Sequence, residues 1–245
     1  MSHLRAAWRC VLIFLHVLRG WWLVWRQNGS WTPEQQAQVV EGWSRQLLGI
    51  MGITVQVHGQ PPAAGPVLLV SNHLSWLDIP AIHAARNCRF VAKADIRRWP
   101  LVSQLAIGSG TLFIERTSRR DAMRVVHQMA DALRNGDILA VFPEGTTGDG
   151  RSMLPFHANL LQAALVTNTP AQPVALKFVD TATGLPSYAP SFVGDETLVG
   201  SVWRTLAAPA ITAVVRFGEP QRSGGRDRRE WAGALEQEVR GLWEG

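Results

Sequence analysis

Lysine is nearly missing from this 245-residue chain: only Lys93 and Lys177 are present, and the rest of the positive charge behind its net +5 is arginine. Cysteine is as scarce. Cys10 and Cys88 stand far apart, which excludes a disulfide framework or a paired-cysteine zinc site and fits a reducing compartment. There is no Gly-x-Gly-x-x-Gly and no Walker loop, and Gly108-Ser109-Gly110 lacks the outer glycine of a nucleophile elbow. No motif for a resident nucleotide or metal cofactor is therefore present. The basic residues are scattered and show no aromatic–basic interleaving, a poor fit to nucleic-acid binding. No internal repeat or low-complexity tract appears. The apolar stretch Cys10–Leu18 ends at Arg19, well short of the roughly twenty apolar residues that cross a bilayer. Arg19-Gly20-Trp21-Trp22 is a poor signal-peptide cleavage site.

What the first fifty residues do have is tryptophan. Trp8, Trp21, Trp22, Trp25, Trp31 and Trp43 are six of the eleven in the chain. Together with Arg5, Arg9, Arg19 and Arg26 they predict a helix lying in the membrane interface, indole rings at headgroup level and guanidinium groups reaching lipid phosphates. A second helix is expected from Thr32-Pro33-Glu34 to about Ile50. Residues 1–50 thus read as a two-helix membrane-associating module and residues 51–245 as one α/β domain, long enough for a full core.

Within that domain, Ile53-Thr54-Val55-Gln56-Val57 alternates apolar and polar residues as a half-exposed edge strand does. Further strands are expected at 66–70, 88–92, 111–115, 138–142, 172–178 and 211–217. Ala122, Val126, Met129, Ala130 and Leu133 recur at helical spacing between a start signal at Ser118 and Asp121 and a stop at Asn135-Gly136. Trp231, Leu235, Val239 and Leu242 form the apolar stripe of a closing helix. Strands alternating with helices predict a mostly parallel, mixed sheet flanked by helices. Ligand sites in such sheets gather at the carboxyl ends of the strands.

Three segments end strands there. The first is Asn72-His73-Leu74-Ser75-Trp76-Leu77-Asp78. Five residues turn an ideal helix through about 500°, so His73 and Asp78 on one regular helix would point apart. With His73 on the turn leaving the strand and Asp78 inside the following helix, the carboxylate can accept the imidazole's second N–H and fix its tautomer. Such a histidine can take a proton from a hydroxyl nucleophile. The second segment is Gly110-Thr111-Leu112-Phe113-Ile114-Glu115-Arg116, which ends in a planar, permanently charged fork suited to phosphate. The third is Phe142-Pro143-Glu144-Gly145-Thr146, a strand end whose glycine and hydroxyl expose donors for a phosphate or oxyanion. His83 and His157 have no carboxylate at a suitable spacing and default to structural roles.

In order and spacing these segments resemble the sequence blocks of the glycerolipid acyltransferase family, most of all its bacterial 1-acyl-glycerol-3-phosphate branch. Ala171-Gln172-Pro173-Val174-Ala175-Leu176 matches a fourth block loosely, with Gln172 where that family usually has an aliphatic residue. The resemblance implies acyl transfer from an acyl thioester (acyl-carrier protein or acyl-CoA) to the free hydroxyl of lysophosphatidic acid, giving phosphatidic acid. It implies His73 as general base and Asp78 as its orienter. It further implies acceptor binding by Arg116, by the loop Glu144, Gly145 and Thr146, and by Lys93. Glu144 is an odd neighbour for a phosphate; ordering the loop, or gripping Arg116 or an acceptor hydroxyl, suits it better. The thioester is already activated, so the chemistry asks for no metal and no cofactor beyond that co-substrate. An inner-membrane protein, monotopic or peripheral, with its site facing the cytoplasm is expected. Lyso-ornithine lipid or another lysophospholipid is the alternative acceptor. A lipid esterase or thioesterase, using water or Ser75 as nucleophile, is the different-class alternative.

Overall fold

The computed structural model describes residues 2–27, 30–114 and 119–245. Seven strands form one sheet: β1 (Ile53–His58), β2 (Val67–Ser71), β3 (Arg89–Lys93), β4 (Leu112–Ile114), β5 (Ile138–Val141), β6 (Ala171–Asp180) and β7 (Ile211–Phe217). Their order across the sheet is β1-β7-β6-β2-β5-β3-β4. Every neighbouring pair is parallel except β6 with β7. The mixed, mostly parallel sheet flanked by helices is the architecture that the alternating sequence pattern predicts. β1 is an edge strand, and only Ile53 of its six residues is fully buried, as its period-two pattern requires.

The helices are α1 (Ser2–Gln27), α2 (Pro33–Met51), α3 (Asp78–Ala85), α4 (Pro100–Gly108), α5 (Arg119–Arg134), α6 (Gln162–Val166), α7 (Leu198–Ala207) and α8 (Arg228–Glu244). Local chemistry fixes several of their ends. Thr32 caps α2 in a reciprocal box with Gln35, Pro33 fills its first turn, and Gly52 closes it in the left-handed region at φ 76°. Asp227 and Glu230 build the same box at the start of α8.

The buried strand β2 divides its side chains between two cores. Val67 and Leu69 face α2, α3 and α7, together with Leu48, Met51, Ile82 and Leu206. Leu68 and Val70 face α5, α6 and α8, together with Met129, Leu133, Ala163, Trp231 and Leu235. Burying one such aliphatic side chain contributes about 1.5–3 kcal/mol. A strand apolar on both sides is held by both layers, and this fixes where its carboxyl end emerges.

α1 is a single 26-residue helix that runs straight through Arg19. Its stretch His3–Gln27 is long and apolar enough to cross a membrane by length and composition. It is nonetheless packed along one side against the rest of the fold. A Cβ on Gly20 would lie 2.6 Å from Trp43 Nε1, and one on Gly108 of α4 would lie 2.3 Å from Val24 Cγ2. His16 stacks on Trp43 at 4.7 Å, its Nε2 donating to Trp43 O while Trp43 Nε1 donates to His16 O across the α1–α2 contact. On the other side Trp8, Phe14, Trp21, Trp22 and Trp25 stand exposed. Of the four arginines expected to reach outward, Arg26 does, over an exposed tryptophan, while the other three meet the rest of the fold. Arg5 donates to Ala208 O, Arg19 donates to Gln46 Oε1, Arg9 covers Gly52, and Arg26 lies over the Trp22 ring. Cations on the packed side of a helix meet protein carbonyls and amides before they meet lipid.

Candidate active site

β2 and β5 are adjacent and parallel, with Val70 opposite Val141, so the loops that follow them leave the sheet side by side. His73 stands on the first loop and Glu144 on the second. β3 and β4 come next in order, which puts Lys93, exposed at the end of β3, on the same rim. Arg116 follows β4 and lies outside the described residues. Arg97 covers the Phe113 ring, and Arg124 lies 3.7 Å from Asp121, so further guanidinium groups line a small polar hollow on this rim.

Asp78 opens α3 and is completely buried. Its Oδ2 accepts three bonds: from His73 Nδ1 at 2.7 Å, from Leu74 N at 2.6 Å and from Ser75 N at 2.9 Å. The same oxygen therefore holds the loop in shape and the imidazole in register. With Nδ1 turned to the carboxylate, Nε2 is the nitrogen left to take a proton. The His73 side chain is about one-fifth exposed, open enough to meet a substrate. Its ring lies flat on Phe142, with centroids 3.9 Å apart and planes 7° from parallel. Phe142 in turn stacks on Phe90 at 5.5 Å.

Two further residues hold this loop from behind. Asn72 is fully buried at the end of β2; its Nδ2 donates to Leu176 O and its Oδ1 accepts from Leu176 N, both at 2.8 Å. The side chain thus copies one rung of a sheet ladder and clips β2 to β6. Glu144 is also buried, and both of its oxygens are occupied by backbone donors: Oε1 by His73 N at 2.6 Å and Oε2 by Leu154 N at 2.8 Å. Burial pushes its pKa up, and the two N–H donors partly counter this. Gly145 adopts φ 75°, where a side chain would be strained, and its N–H donates to Phe142 O. Thr146 is exposed on the same turn. Gly148 N donates to His73 O at 2.8 Å, completing the tie between the two loops.

Ser75 is buried, and its hydroxyl accepts a bond from Leu77 N. It shapes the first turn before α3 and does not face the outside as an esterase nucleophile would. Among the described residues no cluster of three or more His, Cys, Asp or Glu side chains is placed to hold a metal ion.

Behind the aromatic stack lies a cavity of about 350 Å³ between α1, α2, α3 and α4. Its wall includes Val17 and Leu23 of α1, Val40 of α2, Trp76 and Phe90 beside the site, and Leu105 of α4. Nearly all of that wall is apolar. Volumes of this size are typical of small-molecule sites, and an apolar lining selects an aliphatic occupant.

The sequence pattern pointed to the His73–Asp78 pair, and the structure brings the two into contact. It gave no role to Asn72, Phe142 or the cavity. A buried polar residue abutting a strand end was the available signal for Asn72, but nothing local in sequence reports a ring stacking across two loops or a void shared by four helices.

The chain is similar to known proteins on every scale. The family model described as Acyltransferase matches residues 53–177. A lyso-ornithine lipid O-acyltransferase of Pseudomonas aeruginosa is 37% identical over 209 residues, covering 85% of this chain and 79% of that protein. A 1-acyl-sn-glycerol-3-phosphate acyltransferase of Neisseria meningitidis is 35% identical over 190 residues, covering 76% of this chain and 72% of its own length. The crystal structure of the 1-acyl-sn-glycerophosphate acyltransferase PlsC from Thermotoga maritima superposes over 100% of this chain and 98% of its own with a TM-score of 0.69, at 18% identity, and shares the fold. With half of its length matched by the family model and relatives of this similarity, the chain belongs to the acyltransferase family.

Proposed function

We propose that this acyltransferase moves a fatty acyl group from an acyl thioester, carried by acyl-carrier protein or coenzyme A, to the hydroxyl of a lysolipid at a membrane surface. The observation that carries the reading is the 2.7 Å contact between His73 Nδ1 and a buried Asp78, at the carboxyl ends of the strands and next to an apolar cavity. Nε2 of His73 takes the proton of the acceptor hydroxyl as its oxygen attacks the thioester carbonyl carbon. The tetrahedral intermediate collapses, the C–S bond breaks, and the imidazolium returns the proton to the departing thiolate. Asp78 holds the tautomer that makes this possible and balances the positive charge on the ring. The cavity holds the acyl chain.

For the acceptor, lysophosphatidic acid acylated at its sn-2 hydroxyl is the first reading, with phosphatidic acid as product. Arg116, Lys93 and the Thr146 hydroxyl would bind its phosphate, while Gly145, whose N–H is spent on Phe142 O, shapes the turn and Glu144 fixes the loop. Both Glu144 oxygens already serve backbone N–H groups, which supports that division of roles. Lyso-ornithine lipid is the second reading, favoured by the 37% identity to the Pseudomonas aeruginosa enzyme named for it. The exposed tryptophans of α1 suit seating in the interface of one leaflet, of an inner membrane with the site on the cytoplasmic side, because the opposite side of the helix is packed on the fold.

The test is one assay with two acceptors. Purified protein in mixed micelles is given palmitoyl-CoA or palmitoyl acyl-carrier protein and either lysophosphatidic acid or lyso-ornithine lipid, and ester formation is followed. One acceptor is expected to be used at least about 100-fold better in kcat/KM, a gap that charged-group recognition can produce. His73→Ala should remove ester formation with both. Turnover surviving in that variant overturns the base assignment, and fatty acid released without either acceptor points to a hydrolase instead.

A further inference from the structure

α1 rests between two other helices. Near its start, the His3 ring stacks on Trp203 of α7 at 6.0 Å, and Arg5 donates to Ala208 O just past the end of α7. Toward its far end, Gly20 and Val24 meet Leu105 and Gly108 of α4. α4 carries no charged residue, and its Leu101, Val102 and Ile107 stand exposed. On α7, Val199 is 79% exposed and Trp203 stands out beside α1. The three helices therefore present one apolar face with α1 as its middle ridge. A face that spans three helices exceeds the scattered apolar residues that any protein surface carries.

The edge of this face is cationic. Arg97 and Arg98 are exposed and directly precede Trp99 and α4. Asp95 lies 4.0 Å from Arg98, an exposed pair that contributes little. Guanidinium groups beside an indole and aliphatic side chains suit a headgroup boundary, with phosphates outside and hydrocarbon inside. A second copy of this chain would instead bring the same cationic edge and its own net charge of +5. The chamber is also open here. Trp99 and Val102 line the cavity yet are 48% and 40% exposed, so this wall is outer surface as well.

We propose that α4 and α7 enter the same leaflet as α1, and that the acyl chamber opens sideways into its hydrocarbon past Trp99 and Val102. This rests on reading the cavity as the acyl site and α1 as the seat on the membrane. α1 then lies along the bilayer, since a spanning α1 would draw the loops and charges packed along its other side into hydrocarbon. A fatty chain passes between chamber and leaflet without crossing water.

The experiment puts one nitrobenzoxadiazole label on the full-length protein in a Cys10→Ser background, Cys88 being buried. The label is placed by Ile107→Cys on α4, by Val199→Cys on α7, by Val102→Cys on the lip of the chamber, or by Asp131→Cys on α5 across the sheet. With phosphatidylethanolamine–phosphatidylglycerol vesicles, emission from the first three should rise about three-fold or more and be roughly halved by lipids carrying a quencher in the acyl region. The α5 label should do neither. Dim α4 and α7 labels on vesicle-bound protein overturn the proposal. Quenching at α4 and α7 but not at Val102→Cys overturns the sideways opening. Brightening with protein concentration in the absence of lipid assigns the face to a second copy, and overturns the leaflet contact. Ile107→Glu should lower kcat/KM about ten-fold for an acceptor in vesicles, and by less than about two-fold for a monomeric short-chain donor and acceptor in solution. Equal losses in the two assays overturn a seating role for α4. Failure of the underlying reaction is distinct: the wild type would then form no ester even from the soluble pair.

Discussion

Around His73 two loops are cross-tied by short hydrogen bonds: one Asp78 oxygen takes three donors, Glu144 takes two, and Gly148 closes the ring onto His73 O. A few side chains away, between α1, α2, α3 and α4, the same protein leaves about 350 Å³ unfilled behind an almost wholly apolar wall. Buried polar networks of the first kind tolerate almost no change of atom type. Apolar walls of the second kind tolerate changes of size and respond through the shape of what they hold. The proposed function places the chemistry in the rigid region and the selection of the chain in the roomy one.

The contrast can be broken most sharply at Asp78. Asp78→Ala removes the oxygen that His73 Nδ1, Leu74 N and Ser75 N share. Turnover should fall about 10³-fold or more, because nothing then enforces the tautomer of the proposed base. Steady-state rates alongside a melting curve decide it; a variant that melts like the wild type and retains a tenth of the rate would show the loop to be far less constrained. Next in size is a pair of truncations. Leu133→Ala, in the filled core behind the sheet, should cost about 2–5 kcal/mol of stability, whereas Leu105→Ala on the cavity wall should cost about 1 kcal/mol, since part of its surroundings is already empty. Equal losses in chemical denaturation would mean the two regions are packed alike.

A pH experiment examines the same wall. His83 has its pKa lowered by burial from 6.5 to about 4, so between those values the unfolded chain binds a proton that the folded one refuses. Stability is therefore full above pH 6.5 and lost as pH falls toward 4. Compared with His83→Phe, the wild type should lose about 2 kcal/mol more between pH 6.5 and 4.5. Identical slopes would show that His83 is solvated in the native state. Phe142→Leu removes the ring under His73 while keeping its bulk, and should lower kcat by about ten-fold, in line with the 0.5–1.5 kcal/mol such stacks contribute. The smallest effect is expected from Ala106→Phe, which should shift the preferred donor to a shorter chain while changing the best rate by no more than about three-fold.

Much of this was legible in the chain itself. The period-two pattern of β1, the uninterrupted apolar residues of β2 and the capping residues Thr32 and Asp227 act locally, and each produced the element its spacing implies. The His73–Asp78 contact was legible because a turn followed by a helix start is a local geometry. The cavity was not, because α1, α2, α3 and α4 meet there from separate parts of the sequence and a void has no residue of its own. The apolar run of α1 ends at Arg19, yet the helix continues to Gln27, since Gln46 accepts from that guanidinium and a single cation does not break helical hydrogen bonding. His83 was set aside as structural because no carboxylate stands at a useful distance along the chain. Its contact with Phe90 and its place on the cavity wall are visible only in the packing.

Val17, Leu23 and Val24 make α1 part of the cavity wall as well as the amphipathic edge of the molecule. Trimming the N-terminus to obtain a more tractable, detergent-free protein would therefore strip away one side of the chamber and flood it with water. Under the proposed function, the helix that seats the protein on lipid is also the one that keeps the acyl chain dry.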